Sequence, residues 1–164
     1  MLAGGVGYAR RSDAQKGTPE PGEEVILLGG DNYRIGMGGG AVSSVNTGQY
    51  AGAIELNAVQ RSNPEMQKRV ENVIRTLSES EDNPIISIHD HGAGGHLNCL
   101  SELVETTGGH FDLSAFPIGD ETLSSKEIIG NESQERMGLL VKGDAVERIA
   151  RIAERERAPM YVVG

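Results

Sequence analysis

Residues 85–88, Ile-Ile-Ser-Ile, form a short apolar run that ends in His89-Asp90-His91 and breaks at Gly92-Ala93-Gly94-Gly95. So short a run, bounded by a glycine turn, predicts a buried strand rather than a helix. Leu97, Leu100, Leu103 and Val104 then recur at helical spacing, which predicts a helix over about 94–106 closed by Gly108-Gly109. The chain is thereby committed to a strand–turn–helix unit. Its turn brings bare backbone N–H groups to a helix N-terminus, where anions are favoured.

The rest of the chain repeats this alternation. Val25 to Leu28 predicts a buried strand, broken by Gly29-Gly30-Asp31-Asn32. Asn63-Pro64-Glu65 starts a helix, with Asn as N-cap and Pro at the first helical position. Met66, Val70, Val73, Ile74 and Leu77 form its apolar stripe. Phe111, Leu113 and Phe116 alternate as in a strand, and Ser124-x-x-Glu127 is a capping box. Met137 to Val141 predicts a strand, Asp144 caps a helix carrying Val146, Ile149, Ala150 and Ala153, and Met160 to Val163 predicts a last strand. The pattern predicts an α+β (layered α/β) domain, a mixed β-sheet with flanking helices. Residues 11–24 are polar, with Pro19, Pro21 and Gly22, so residues 1–24 read as a lead-in segment and linker and 25–164 as one domain. The half-apolar start and the strand-like end predict a domain excised from a longer polypeptide.

Composition narrows the function classes. A net charge of −9 over 164 residues disfavours nucleic acid and anionic membranes as partners. Small anionic ligands stay open, because local N–H groups and divalent cations reverse the field locally. The single cysteine, Cys99, excludes an internal disulfide and fits a reducing compartment. With no long apolar run and no signal-peptide pattern, the reading is a cytoplasmic chain.

The window 89–96 supports two chemistries. His89, His91 and His96 with Asp90 offer zinc ligands. However, strand alternation points Asp90 away from the two neighbouring histidines, and His96 lies beyond the glycine turn. A hard-cation site on Asp90 fits better, since magnesium takes one or two carboxylates with waters and substrate phosphates. The plain alternative is that Asp90 caps the helix. Residues 36–41 satisfy Gly-x-Gly-x-x-Ala, with Glu55 further on, but no strand leads directly into them and no amphipathic helix follows. They read as a packing turn or a backbone cradle for phosphate. Asn131-Glu132-Ser133-Gln134-Glu135-Arg136 could read a small polar ligand, although by composition it is more simply an exposed turn. Gln60 sits in a strand-like stretch with Leu56 and Val59, Cys99 packs a helix, and Glu154-Arg155-Glu156-Arg157 is a solvated helix end.

Four of these segments together resemble a known family. Gly36-Met37-Gly38-Gly39-Gly40-Ala41-Val42-Ser43-Ser44, Val59-Gln60-Arg61-Ser62-Asn63-Pro64-Glu65-Met66, His89-Asp90-His91-Gly92-Ala93-Gly94-Gly95 and Asn131–Arg136 occur in the order seen in large-form phosphoribosylformylglycinamidine synthases. The resemblance implies a purine-biosynthetic ligase. It converts formylglycinamide ribonucleotide, ATP and glutamine to formylglycinamidine ribonucleotide, ADP, phosphate and glutamate. This chain would be the C-terminal half of the first synthetase repeat, similar to the C-terminal domain of aminoimidazole ribonucleotide synthetase. ATP would phosphorylate the substrate amide oxygen, and ammonia from a glutaminase domain would displace phosphate. By the same resemblance Gln60, Glu132, Ser133 and Gln134 would bind the ribonucleotide, and Asp90 would ligate Mg2+. No catalytic residue is assigned here, and the isolated chain is expected to be inactive. His89, His91 and His96 receive no role from the family. The partners implied are the remaining domains of the same polypeptide, and an isolated half exposing an apolar face would form a homodimer. Two other readings stay open: a mainly structural half-domain of that enzyme, and a free-standing phosphate-binding module.

Overall fold

A computed structural model describes residues 4–37, 42, 45–46 and 48–164. Four strands, β1 (Glu24–Gly29), β2 (Ile85–His91), β3 (Ser133–Val141) and β4 (Met160–Val162), form one sheet in the order β2-β3-β1-β4. Every ladder in it is antiparallel, and two isolated parallel bridges, Asn32 with Ile118 and Gln60 with Ser133, add the mixed character. Among the described residues the helices are α1 (Gly52–Leu56), α2 (Pro64–Ser78), α3 (Gly95–Leu103), α4 (Ser125–Ile129) and α5 (Val146–Glu156).

The sheet is covered on both faces, which explains why β1 reads as an unbroken apolar run. Val25 and Leu27 pack with Cys99, Leu100 and Leu103 of α3 and with Ile128 of α4. Ile26 and Leu28 point the other way, onto Val70, Val73 and Leu77 of α2 and Ile149 and Ala153 of α5. Each such burial stabilises the fold by roughly 1.5–3 kcal/mol. Helix α2 begins as its sequence predicts, with the Asn63 side chain accepting from Met66 N at 2.9 Å and Pro64 at the first position. The Ser124–Glu127 capping box is formed on both sides.

Three local expectations are corrected. Phe111, Leu113 and Phe116 do not form a strand: Leu113–Ala115 is a 3-10 turn, because the Asp112 carboxylate accepts from Ser114 N at 2.9 Å and closes the chain on itself. Phe116 is nevertheless buried against the α3 face. Asp144 does not cap α5; it lies inside the 3-10 turn Gly143–Ala145, and Ala145 takes the cap position without a side-chain bond. Gln60 is not part of a strand. Helix α1 ends at Leu56, and Gln60 makes only its single bridge to Ser133.

Candidate functional site

The site is built at the C-terminal end of β2, where that strand meets the start of β3. A register irregularity between Asp90 and His91 ends the regular ladder. Asp90 is exposed, and its Oδ1 accepts from Gly92 N at 2.6 Å. His89 and His91 both meet α3, as strand alternation predicts: His89 Nε2 lies 2.6 Å from Glu102 Oε2, and His91 Nε2 lies 2.9 Å from His96 Nδ1. The turn reaches α3 through Gly94 and Gly95, at φ of 85° and 56°, a region costly for residues with a Cβ.

The polar run 131–136 is not an exposed turn. Asn131, Glu132, Ser133, Glu135 and Arg136 are all buried, and only Gln134 is exposed. The backbone accounts for this. Glu132 N donates to Gly36 O at 2.9 Å, Gln60 N donates to Glu132 O at 2.9 Å, and Gln134 N donates to Gln60 O at 2.9 Å. The segment therefore docks between the residues around Gly36 and Gln60 as an extra strand would. The approach is close: a Cβ on Gly36 would lie 2.2 Å from Glu132 O, and one on Gly95 would lie 2.4 Å from Asn131 O.

Side chains complete the junction. Glu132 Oε1 accepts from Gly94 N at 3.1 Å, joining this segment to the Asp90 turn. Burial holds the Glu132 carboxyl above its ordinary range, and the Gly94 N–H partly offsets the shift. Ser133 Oγ accepts from Glu135 N at 3.1 Å. Gln60 is buried with both ends of its amide engaged: Nε2 donates to Asp31 O at 2.9 Å and Glu135 Oε2 at 3.0 Å, and Oε1 accepts from Tyr33 N at 3.4 Å. Glu135 Oε1 also accepts from Asn63 N at 2.6 Å, at the start of α2.

Beneath this surface lies a buried guanidinium. Arg136 Nη1 meets Asn32 Oδ1 and His96 Nε2, and Nη2 donates to Asn131 Oδ1 and, at 3.4 Å, to Asn131 O. His96 Nε2 lies against both the Arg136 Nη1 donor and, at 3.1 Å, the Asn32 Oδ1 acceptor, while His96 Nδ1 lies 2.9 Å from His91 Nε2. His91 Nδ1 is buried and has no hydrogen-bond partner among the described residues. Burial first, and the Arg136 charge second, hold both imidazoles well below their ordinary pKa, so both are neutral. Burial also lowers Arg136 to about 9, still charged at neutral pH.

The structure thus brings Gln60, Glu132, Ser133 and Gln134 together and connects Asp90 to them through one turn. Only Asp90 and Gln134 present exposed side chains. Asp90 suits a hard cation as a single carboxylate ligand, with the remaining positions taken by waters and phosphate oxygens. The rings of His91 and His96 are buried and face each other, and His96 also meets Asn32 and Arg136. The glycine stretch is described only at Gly36 and Met37; residues 38–41, with Ser43 and Ser44, lie outside the described residues. Asn131, Glu135 and Arg136 lie in the polar run that the sequence offers as a ligand reader, without individual roles, and Asn32 reads there only as part of a strand-breaking turn; in the structure these four organise the junction. The signal for them is the close backbone approach of Gly36 and Gly95 to one polar segment.

Comparisons with known proteins agree with the fold. A family model described as AIR synthase related protein, C-terminal domain, matches residues 20–164. The whole chain is 44% identical over 165 residues to the probable phosphoribosylformylglycinamidine synthase, chloroplastic/mitochondrial, of Arabidopsis thaliana. It is 43% identical over 166 residues to phosphoribosylformylglycinamidine synthase of Homo sapiens. It spans 12% of the length of each of these relatives. Among solved structures, Thermotoga maritima PurL complexed with FGAR superposes with a TM-score of 0.73 at 27% identity, covering 90% of this chain and 24% of that one. The chain belongs to the AIR synthase related family, as its C-terminal domain.

Proposed function

We propose that this chain is the ribonucleotide- and Mg2+-binding half-domain of a phosphoribosylformylglycinamidine synthase. The observation that carries the reading is the convergence of Gln60, Glu132–Gln134 and the Asp90 turn on one junction, bound by the Gly94–Glu132 contact. The conversion uses formylglycinamide ribonucleotide, ATP and glutamine. It phosphorylates an amide oxygen and then replaces phosphate with ammonia, so positioning and charge neutralisation dominate the catalysis. Magnesium, held in part by Asp90, supplies the charge neutralisation at the phosphates when bound. Exposed Gln134 offers its amide to the ribonucleotide, while Gln60, Glu132 and Ser133 shape the surface beneath it. Residues 25–164 act as one unit with the remaining domains of the longer polypeptide, which carry the ATP-gripping and glutaminase parts. The isolated chain has no synthetase activity, and by itself it pairs with a second copy. Among the described residues no helix is long and apolar enough to cross a membrane. A reducing cytoplasm suits the single buried thiol.

The test is Asp90→Asn in the full-length enzyme. Turnover falls by about 10²-fold, as loss of transition-state charge stabilisation produces. An unchanged rate at saturating magnesium removes Asp90 from the site. One observation favours a second, scaffolding reading: the Gln60 amide is satisfied at both ends within the chain. Gln134→Ala separates the two. A raised ribonucleotide KM with unchanged stability supports binding, and an unchanged KM supports the scaffold.

A further inference from the structure

We infer that Arg136 is a positioning residue, whose forked guanidinium sets the Glu132–Gln134 surface in register with the loop that leads into the glycine stretch. Arg136 is 1% exposed, and no carboxylate lies within ion-pairing distance of it among the described residues. Its partners are neutral and come from three separate segments: Asn32, His96 and Asn131. Glu135 and Asp31 favour its charge only from beyond ion-pairing distance, and a buried charge without a direct ion pair is costly. The buried Arg136 Nε has no hydrogen-bond partner either, so the contacts the residue makes directly are those of its two terminal nitrogens with neutral groups.

What it supplies is geometry. One edge of the fork holds Asn131, whose Nδ2 donates onward to Tyr33 O at 3.0 Å and Ile35 O at 2.5 Å. Those carbonyls immediately precede Gly36, the start of the glycine stretch. The other edge holds Asn32, whose Nδ2 donates to Pro117 O at 2.8 Å, and His96 at the start of α3. Arg136 therefore fixes the distance between loop 31–36, the segment 131–134 and the turn carrying Asp90. A lysine would keep the charge but present a point instead of a planar fork. The inference rests on the reading of Glu132–Gln134 as the ribonucleotide surface.

The experiment uses the full-length enzyme with Arg136→Lys, Asn131→Asp and Gln134→Ala. Arg136→Lys raises the ribonucleotide KM by about tenfold or more, since small misplacements of a positioned site cost that much. The thermal unfolding midpoint stays unchanged, which a loss of structure in this half-domain would not allow. Asn131→Asp keeps an oxygen for Arg136 but removes both donors to loop 33–35. It produces the same KM rise while folding is retained, and it decides the matter should Arg136→Lys fail to fold. A folded Arg136→Lys or Asn131→Asp enzyme with a KM within about twofold of the parent overturns the inference. If Gln134→Ala also leaves KM unchanged, the ribonucleotide reading falls with it. If Gln134→Ala raises KM and Asn131→Asp does not, the positioning role alone falls.

Discussion

The Glu132 carboxylate accepts the Gly94 N–H at 3.1 Å, and through that bond the start of β3 is tied to the turn that follows β2. The two residues are 38 positions apart. Their contact places the exposed Asp90 carboxylate next to the Glu132–Gln134 surface without any direct bond from Asp90 to that surface. The surface is made rigid from behind, by backbone and buried groups, while the Asp90 and Gln134 side chains stay exposed.

Gly95→Ala is expected to destabilise the fold by at least about 2 kcal/mol. The added Cβ meets Asn131 O at 2.4 Å, in a left-handed conformation that alone costs roughly 1–2 kcal/mol. Gly22→Ala is the control: Gly22 also has a positive φ, of 93°, but nothing lies within 4 Å of its Cβ position. It should lose only the conformational part. Denaturant midpoints of the two variants measure the difference.

Acid should destabilise the domain from just below neutrality. His91 and His96 are held neutral by burial and by Arg136, well below their unfolded value of 6.5. Below that value the unfolded chain takes up protons that the folded one refuses. Stability is therefore full above about pH 6.5 and falls as pH drops, by up to about 1.4 kcal/mol per pH unit for each histidine. Glu132, shifted upward by burial, acts with the opposite sign at lower pH. Urea unfolding at a series of pH values checks the slope, and a His96→Gln variant should flatten it.

Glu135→Gln should cost about 1–3 kcal/mol. Two donors, the buried Gln60 Nε2 and the partly buried Asn63 N, converge on this carboxylate, and the variant turns an amide N–H₂ toward one of them. Hydrogen exchange at the Asn63 amide should quicken more than exchange in the middle of α2.

Leu139→Ala should cost about 2–5 kcal/mol, since Leu139 is fully buried between the sheet and α2. Thermal or chemical denaturation measures it.

Cys99 should be unreactive in the folded protein. Burial pushes its thiol up to about 12, and its Sγ packs 3.5 Å from His89 O. Labelling at pH 8 with a thiol reagent should follow the rate of global opening and become immediate in denaturant.

Elements with local signals were legible in the sequence. Asn63-Pro64, the Ser124–Glu127 box, the run Val25–Leu28 and the glycine turn after His91 each carry their cause within a few residues. The buried polar junction was not, because its partners are distant: Arg136 reaches Asn32 across 104 positions, and Gln60 reaches Glu135 across 75. Read alone, Asn131–Arg136 looks solvated, since composition does not show that each polar group has a buried counterpart. Phe111–Phe116 failed differently. Its alternation was real and buries Phe116, but Asp112 turned the backbone before any strand could pair. For the candidate site, the residue types were legible and their division into exposed Asp90 and Gln134 and buried Gln60, Glu132 and Ser133 was not.

The lead-in segment has a protective consequence. Strand β2 lies at the edge of the sheet, and Gly17 N donates to Ile86 O at 2.8 Å on its outer side. Arg10 fastens the same segment to Ser80 O and Glu79 O at 2.5 and 3.1 Å, at the end of α2. An uncovered edge strand is a template for another chain's backbone. Residues 10–17 therefore work as a guard against edge-to-edge aggregation, sparing the strand that carries Asp90 from being recruited into a fibril.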